Sequence, residues 1–353
     1  MGRAPVISLN YSSWLVSGMG KPDDSIFKMK GLSKTSVSRQ VIGEEADGQR
    51  IDNYLLRVCK GVPKSRVYRI LRSGEVRVNS RRVGPEYRLR PGDEVRIPPL
   101  RAGAETKPAI PHGREYCIVY EDDALLVINK PAGMAVHGGS GISFGVIEQL
   151  RRQRPQTRFL ELAHRLDRET SGLLLIAKKR SVLTALHDQF RDGLVQKRYL
   201  ALVKGRWRDS LRHVRLALHK YLTAGGERRV SVSREGKEAH SVVRLVARWE
   251  NFSLLEVGLE TGRTHQIRVH LSHLGYPLCG DDKYGDFQLN KALQKQGLDR
   301  MFLHAERLAF SHPVTGERLE LAARLHEDLK VFLRRLEQNE KRDYGSELSF
   351  GGV

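Results

Sequence analysis

Nine residues, His164-Arg165-Leu166-Asp167-Arg168-Glu169-Thr170-Ser171-Gly172, crowd four charges into a short stretch and give way without a break to Leu173-Leu174-Leu175-Ile176-Ala177. A short apolar run behind a glycine reads as a strand. A charged loop is therefore tied to rigid structure, which is where functional side chains are commonly held. Asp167 lies between Arg165 and Arg168. Nearby positive charge favours an ionised carboxylate, available as a nucleophile or base. On residue types alone a surface ion-pair cluster fits as well, because structural Arg and Asp networks perturb ionisation too.

A second segment, Glu260 to Gly275, ends a strand, turns at Gly262 and enters a helix that Thr264 is placed to cap and Gly275 to close. Arg263 thus falls at a strand-to-helix junction, facing a site along a sheet edge. His265, His270 and His273 are spaced by five and three residues and cannot share one helix face, so no metal site is expected. A third segment, Gln196 to Gly205, puts Tyr199 where a basic run enters a strand; by itself it fits a core aromatic with a bonded hydroxyl. Asn129-Lys130-Pro131-Ala132-Gly133 leaves a strand for a glycine-rich loop but lacks the Lys-Ser/Thr end of a phosphate-binding P-loop. No Gly-x-Gly-x-x-Gly opens a helix, no serine elbow occurs, and the His-Arg-x-Asp string has none of the other kinase elements.

Charge points to the partner. Lys and Arg number 61 against 41 Asp and Glu, a formal balance of +20, which in a soluble chain calls for a polyanion, nucleic acid first. The excess concentrates between Gln49 and Arg101, where fourteen Arg and Lys face five acids. Ile51, Leu55 and Val58 follow helical spacing, Gly61-Val62-Pro63 breaks it, and Val67, Ile70 and Leu71 resume it. On this second helix Arg66, Arg69 and Arg72 recur every third residue and can follow a phosphate backbone from one side. Gly74 ends the helix, and Val76 to Asn79 and Val95 to Ile97 read as short strands.

The expected organisation is a disordered extension over 1–48, a basic α/β unit over 49–101, a linker over 102–113, a larger domain over 114–338 and a flexible tail over 339–353. In the larger domain strand-like runs outnumber helical ones, which appear at Leu183 to Phe190, Ile267 to Leu274 and Leu329 to Leu336. Strands joined by hairpins with a few outer helices predict an antiparallel-rich α+β fold. No uncharged apolar stretch approaches the roughly 18 residues of a spanning helix, so no membrane association is expected. Cys59, Cys117 and Cys279 are far apart and odd in number, which fits a reducing cytosol.

Together these segments resemble the RluA family of RNA pseudouridine synthases over roughly residues 49 to 335, the basic unit being similar to an S4 RNA-binding domain and the remainder to the family's mixed-sheet catalytic domain. The resemblance sets Asp167 at the catalytic aspartate, Arg165 at the position that intrudes on the RNA stack, Tyr199 at the active-site tyrosine and Arg263 at the arginine that pairs with the carboxylate. It makes Lys130, Pro131 and Gly133, with His164, supports of the catalytic loop. Glu169 stands where the motif often has Asp. The implied activity is isomerisation of uridine to pseudouridine in large-subunit ribosomal RNA by a cytoplasmic monomer without cofactor or metal. Lys64, Arg66, Arg69, Arg72, Arg81 and Arg82 would hold the RNA. A catalytically silent RNA-binding protein on the same fold and a nucleic-acid glycosidase are the competing readings.

Overall fold

The structure, a computed structural model, describes residues 36–59, 62–100, 115–138, 144–340 and 343–344. The expected linker lies outside these residues, as do most of the expected extension and tail. The chain divides into two units, one taking residues 36–41 and 49–100 of the described chain and the other 42–48 and 115 onward.

In the smaller unit strand β1 (Ser38–Val41) precedes helices α1 (Ile51–Val58) and α2 (Lys64–Arg72), followed by strands β2 (Arg77–Val78), β3 (Arg81–Arg82) and β4 (Glu94–Ile97). The sheet order is β1-β4-β2-β3, all antiparallel. Ile51, Leu55, Val67, Ile70 and Leu71 are buried, so the helical periodicity faces the core as its spacing predicts. Gly74 adopts a left-handed φ of +74° and closes α2. The expected disorder up to residue 48 is corrected by β1, whose residues Ser38 to Val41 pair with Ile97 to Glu94. Four residues on the outer edge of a sheet carry too little apolar alternation to announce a strand, and backbone pairing holds them.

The larger unit opens with β5 (Cys117–Glu121), β6 (Leu125–Lys130), α3 (Val146–Gln153), β7 (Glu161–Leu162), β8 (Ser171–Ala177) and α4 (Arg180–Arg191). Strands β9 (Gln196–Lys204), β10 (Leu211–Arg215), β11 (Leu218–Leu222), β12 (Arg228–Val232), β13 (His240–Arg248) and β14 (Phe252–Leu259) follow. The chain then forms α5 (Gln266–His273), α6 (Phe287–Lys295), β15 (Leu303–Ser311), β16 (Arg318–Ala322), α7 (Glu327–Asn339) and β17 (Asp343–Tyr344). Eleven strands form one sheet with the main order β10-β13-β14-β9-β15-β8-β6-β5, while β11 and β12 make a separate hairpin. Each pairing in the large sheet is antiparallel except β8 with β15, so the antiparallel-rich mixed sheet expected from the sequence is what forms. Strand β17 pairs with β13 inside the segment expected to be a flexible tail.

The uninterrupted apolar run of β8 is explained by cover on both faces of the sheet. Leu174 and Ile176 pack with Leu126, Ile128, Ile147 and Leu150 and with Ile267 and Leu271 of α5. Leu173, Leu175 and Ala177 pack with Val182, Leu183 and Leu186 of α4. The parallel seam pairs Ser171 with His304 and Gly172 with Ala305; Gly172 has a φ of +113°, and a side chain there would collide with the Ala305 backbone. Gly172 thus lets the charged loop enter the centre of the sheet.

Across the seam, fully buried His304 shares a hydrogen bond between Nδ1 and the Ser171 hydroxyl (2.9 Å), and its Nε2 donates to the Ala323 carbonyl (3.1 Å). Burial pushes His304 down to about 4, and likewise His164 to about 4. Both values lie below the ordinary 6.5 of an unfolded histidine, so between these limits the unfolded chain binds more protons and stability falls as pH falls. We expect unfolding free energy to drop from pH 7 to pH 4.5 by an amount to which each ring contributes up to roughly 3 kcal/mol. Urea titrations of His304→Gln across that range should show a shallower decline than wild type; an identical pH slope would refute the contribution of this ring.

Candidate active site

Asp167 sits in the loop between β7 and β8, its side chain 21 % exposed at the floor of a cavity of about 650 Å³. The fixed end of β8 anchors the loop on one side, and the Asp167 carbonyl accepts a hydrogen bond from Thr170 N (3.2 Å). Lys130, fully buried at the end of β6, braces it from below: its ammonium donates to the carbonyls of Pro131 (2.9 Å), Met134 (2.8 Å) and Arg168 (3.1 Å). Burial draws Lys130 down to about 7, against the pull of Glu169 and Asp167. Gly133 supplies a left-handed turn with φ of +80° between two of those carbonyls. His164 Nε2 accepts from Leu175 N (3.0 Å), tying the start of the loop to β8. Lys130 thus ties the carbonyl next to Asp167 to the Pro131–Met134 turn, and His164 lines the same cavity as Asp167.

The cation facing Asp167 is a different one from that expected. Arg268 Nη1 lies 3.6 Å from Asp167 Oδ2. Arg263 is exposed on the cavity rim, where its Nε donates to the Glu238 carbonyl (3.0 Å), so the expected pairing of Arg263 with the carboxylate is corrected. The physical reason is the helix entry. His265, not Thr264, takes the cap position of α5, with φ 55° and ψ 21°. The Gln266 side chain accepts from Arg263 N (3.0 Å) and from the Thr261 hydroxyl (2.8 Å). That left-handed turn, costing about 1–3 kcal/mol for a residue with a side chain, leaves Arg263 outside and brings Arg268, one turn into the helix, under the carboxylate. The flanking arginines do not supply the counter-charge either: Arg165 is exposed and Arg168 is bonded to Glu169 (2.7 Å).

Arg268 is buried and held in a fork by Asp281, Nε to Oδ2 at 2.7 Å and Nη2 to Oδ1 at 2.6 Å. Burial works against its charge, but Asp281 and then Asp167 outweigh that and raise it. Asp281 also accepts from Lys283 N (2.8 Å) and Tyr284 N (3.1 Å) and is lowered although burial opposes this. A fixed bidentate pair of this kind leaves one edge of the guanidinium free to face a second carboxylate. Tyr199, on β9 between Val257 and Ala305, is buried in the cavity wall. Burial, with Asp167 adding, pushes its phenol up, so it is neutral at physiological pH. The site is an anionic carboxylate, a rigid cation behind it and an aromatic wall in a space of nucleotide size.

In the smaller unit Lys64, Arg69, Arg72, Arg81 and Arg82 are exposed and Arg66 is half-buried. Their guanidinium and ammonium groups are available to phosphates, whereas Val67, Ile70 and Leu71 on the same helix are not. Sequence reasoning missed Arg268, Asp281 and Tyr284.

Comparison with known proteins identifies the family. The RNA pseudouridylate synthase family profile matches residues 124–273 and the S4 domain profile residues 49–95. Ribosomal large subunit pseudouridine synthase C of Haemophilus influenzae is 50% identical over 314 residues, covering 87% of this chain and 98% of that protein. The protein of the same name from Escherichia coli K12 is 51% identical over 309 residues, covering 85% and 97%. Among solved structures, human RNA pseudouridylate synthase domain containing 1 superposes with a TM-score of 0.52 at 26% identity, covering 64% of this chain and 94% of that one. Human RNA pseudouridylate synthase domain containing 4 gives the same score at 27% identity, covering 63% and 93%. With relatives half identical over most of its length and the S4 and synthase segments in the order its motifs predict, this chain belongs to the RNA pseudouridylate synthase family.

Proposed function

We propose that the chain converts uridine to pseudouridine in large-subunit ribosomal RNA, with Asp167 as the reacting carboxylate and Tyr199 as the surface on which the target base rests. One observation carries this reading: the Asp167 carboxylate has no hydrogen bond among the described residues and faces an open cavity, with the buried Arg268 guanidinium 3.6 Å away. The reaction breaks the N1 to C1′ bond, turns the base and rejoins it through C5, so no electron or phosphate is exchanged. A lone carboxylate serves each route to that end, by covalent addition, by stabilising a cationic sugar or by removing a sugar proton. The target uridine must leave its stack to arrive, at a cost of a few kcal/mol that contacts elsewhere offset.

The site is complete within one chain, which supports a monomer, and the free thiols of Cys59, Cys117 and Cys279 support a cytoplasmic setting. No helix among the described residues is long and apolar enough to cross a membrane. The test is to incubate the protein with large-subunit ribosomal RNA and to map pseudouridine by chemical labelling while assaying free uracil. Pseudouridine without uracil supports the proposal. Released uracil would make the protein a glycosidase, and neither product would leave an RNA-binding protein. Glycosidases commonly use two carboxyl groups across the bond, whereas Glu169, the next acid in the loop, is bonded to Arg168.

The S4-like unit supplies phosphate contacts in this reading. Replacing both Arg69 and Arg72 with Ala should reduce the slope of log affinity against log salt by about 1.5, close to the 0.7–0.9 expected for each lost contact. Filter binding to ribosomal RNA across a salt series measures it. An unaltered slope would remove α2 from the RNA interface.

A further inference from the structure

We infer that His265 and Tyr284 are positioning residues for Asp167, the Tyr284 hydroxyl fixing His265 as the tautomer whose Nε2–H faces the carboxylate. The inference rests on the reading of Asp167 as the reacting group. It begins from a hydroxyl with two partners among the described residues. Val230 N, on β12, donates to Tyr284 Oη (3.0 Å), and His265 Nδ1 lies 2.8 Å from the same oxygen. Val230 N–H occupies one lone pair of the hydroxyl, and we assign its single proton to Nδ1, the one acceptor at hydrogen-bond distance among the described residues. The ring proton therefore sits on Nε2, which lies 3.8 Å from Asp167 Oδ2. That is somewhat longer than a hydrogen bond, and catalytic contacts of this type commonly tighten when substrate arrives.

Three further features agree. The His265 backbone is in the left-handed region, φ 55°, a conformation retained where surrounding structure fixes a side chain's direction. The side chain is 15 % exposed, with the Tyr284 ring set edge-on to it at 5.5 Å. Tyr284 in turn lies 5.1 Å under the Arg268 guanidinium, and its backbone N–H donates to Asp281. The turn carrying Asp281 and Tyr284 thus fixes both groups that face Asp167. Burial, with Arg268 and Lys283 adding, lowers His265 against the pull of Asp167, and burial raises Tyr284. Both groups are neutral where the enzyme works, as the tautomer requires. Fixing a neutral imidazole through its second nitrogen is the general means of orienting a histidine for one task.

The experiment compares wild type, Tyr284→Phe, His265→Ala, His265→Gln and Asp167→Asn in single-turnover reactions with enzyme in excess over large-subunit ribosomal RNA. Misfolded enzyme lowers amplitude or RNA affinity, whereas misplacement of the carboxylate lowers the rate constant. We expect Tyr284→Phe to slow the rate constant about tenfold and His265→Ala about 100-fold, the range typical of orienting groups, with RNA affinity unchanged. The Gln variant, which can present an Nε2–H, should recover part of the Ala loss. Wild-type rate constants in Tyr284→Phe, or equal losses in the Ala and Gln variants, would overturn the inference. If Asp167→Asn is inactive while the Tyr284 and His265 variants match wild type, this inference alone fails; if Asp167→Asn is active, the assignment of Asp167 fails.

Discussion

Asp167→Asn is expected to lower the rate of pseudouridine formation by at least about 10³-fold, a loss of roughly 4 kcal/mol of transition-state stabilisation, with the protein still folded and still binding RNA. The shape of the side chain is kept and the anion is removed. Each route open to the carboxylate needs that anion, so the loss falls on the chemical step whichever one operates. Stability should change by less than about 1 kcal/mol, because Asp167 is partly exposed and its cationic neighbour stands at 3.6 Å rather than in a fork. Removing a negative charge from beside Arg268 also eases the approach of a phosphodiester, so RNA affinity should hold or rise slightly. Rapid-quench kinetics with pseudouridine labelling, together with urea unfolding, measures both quantities. A variant that turns over within about tenfold of wild type would mean that the reacting group lies elsewhere, since a missing nucleophile or base costs far more.

The parts of this site legible in the sequence are those in which neighbours in the chain are neighbours in space. Asp167 is four positions before the first residue of β8, and the change from charged to apolar composition marks both. Tyr199 could be placed on a strand, although β9 begins three residues earlier and includes the basic Lys197 and Arg198. Arg268 could not be read in the same way. Its partner Asp281 lies thirteen residues on, beyond the end of α5, and in one dimension an arginine inside a histidine-rich helix looks like helix surface. Arg263 occupied the more conspicuous junction, but a left-handed residue at His265 rotated the junction outward and the first turn of helix inward. Strand β1 went unread for a related reason, its pairing with β4 being made by backbone groups that leave little trace in side-chain pattern. Helices α3 and α6 were missed as well, since each is short and joined to loops rich in turn residues, so its few apolar positions do not build a sustained period.

Arg268 provides the second large effect, because Asp281 and Asp167 depend on it in different ways, while Asp282, also within 3.3 Å, is mostly exposed. Asp281 is fully buried and takes both ends of the fork, so Arg268→Leu leaves an uncompensated charge in the interior and should cost about 3–5 kcal/mol of stability. The two backbone donors from Lys283 and Tyr284 soften that loss without replacing a cation. Activity should fall by about 10²–10³-fold, the usual effect of removing one preorganised charge from a reacting centre. The two losses can be separated. In the double variant Arg268→Leu with Asp281→Leu the buried ion pair is replaced by apolar volume, and such exchanges are often neutral or stabilising. Unfolding free energy should then return most of the way to wild type, measured by urea titration, while single-turnover activity stays at the level of the Arg268→Leu variant. Recovery of activity along with stability would show that Arg268 serves the fold alone and that Asp167 works without a cationic neighbour. Arg268→Lys gives the intermediate case, since a single ammonium can satisfy Asp281 or face Asp167 but lacks the planar fork that does both at once.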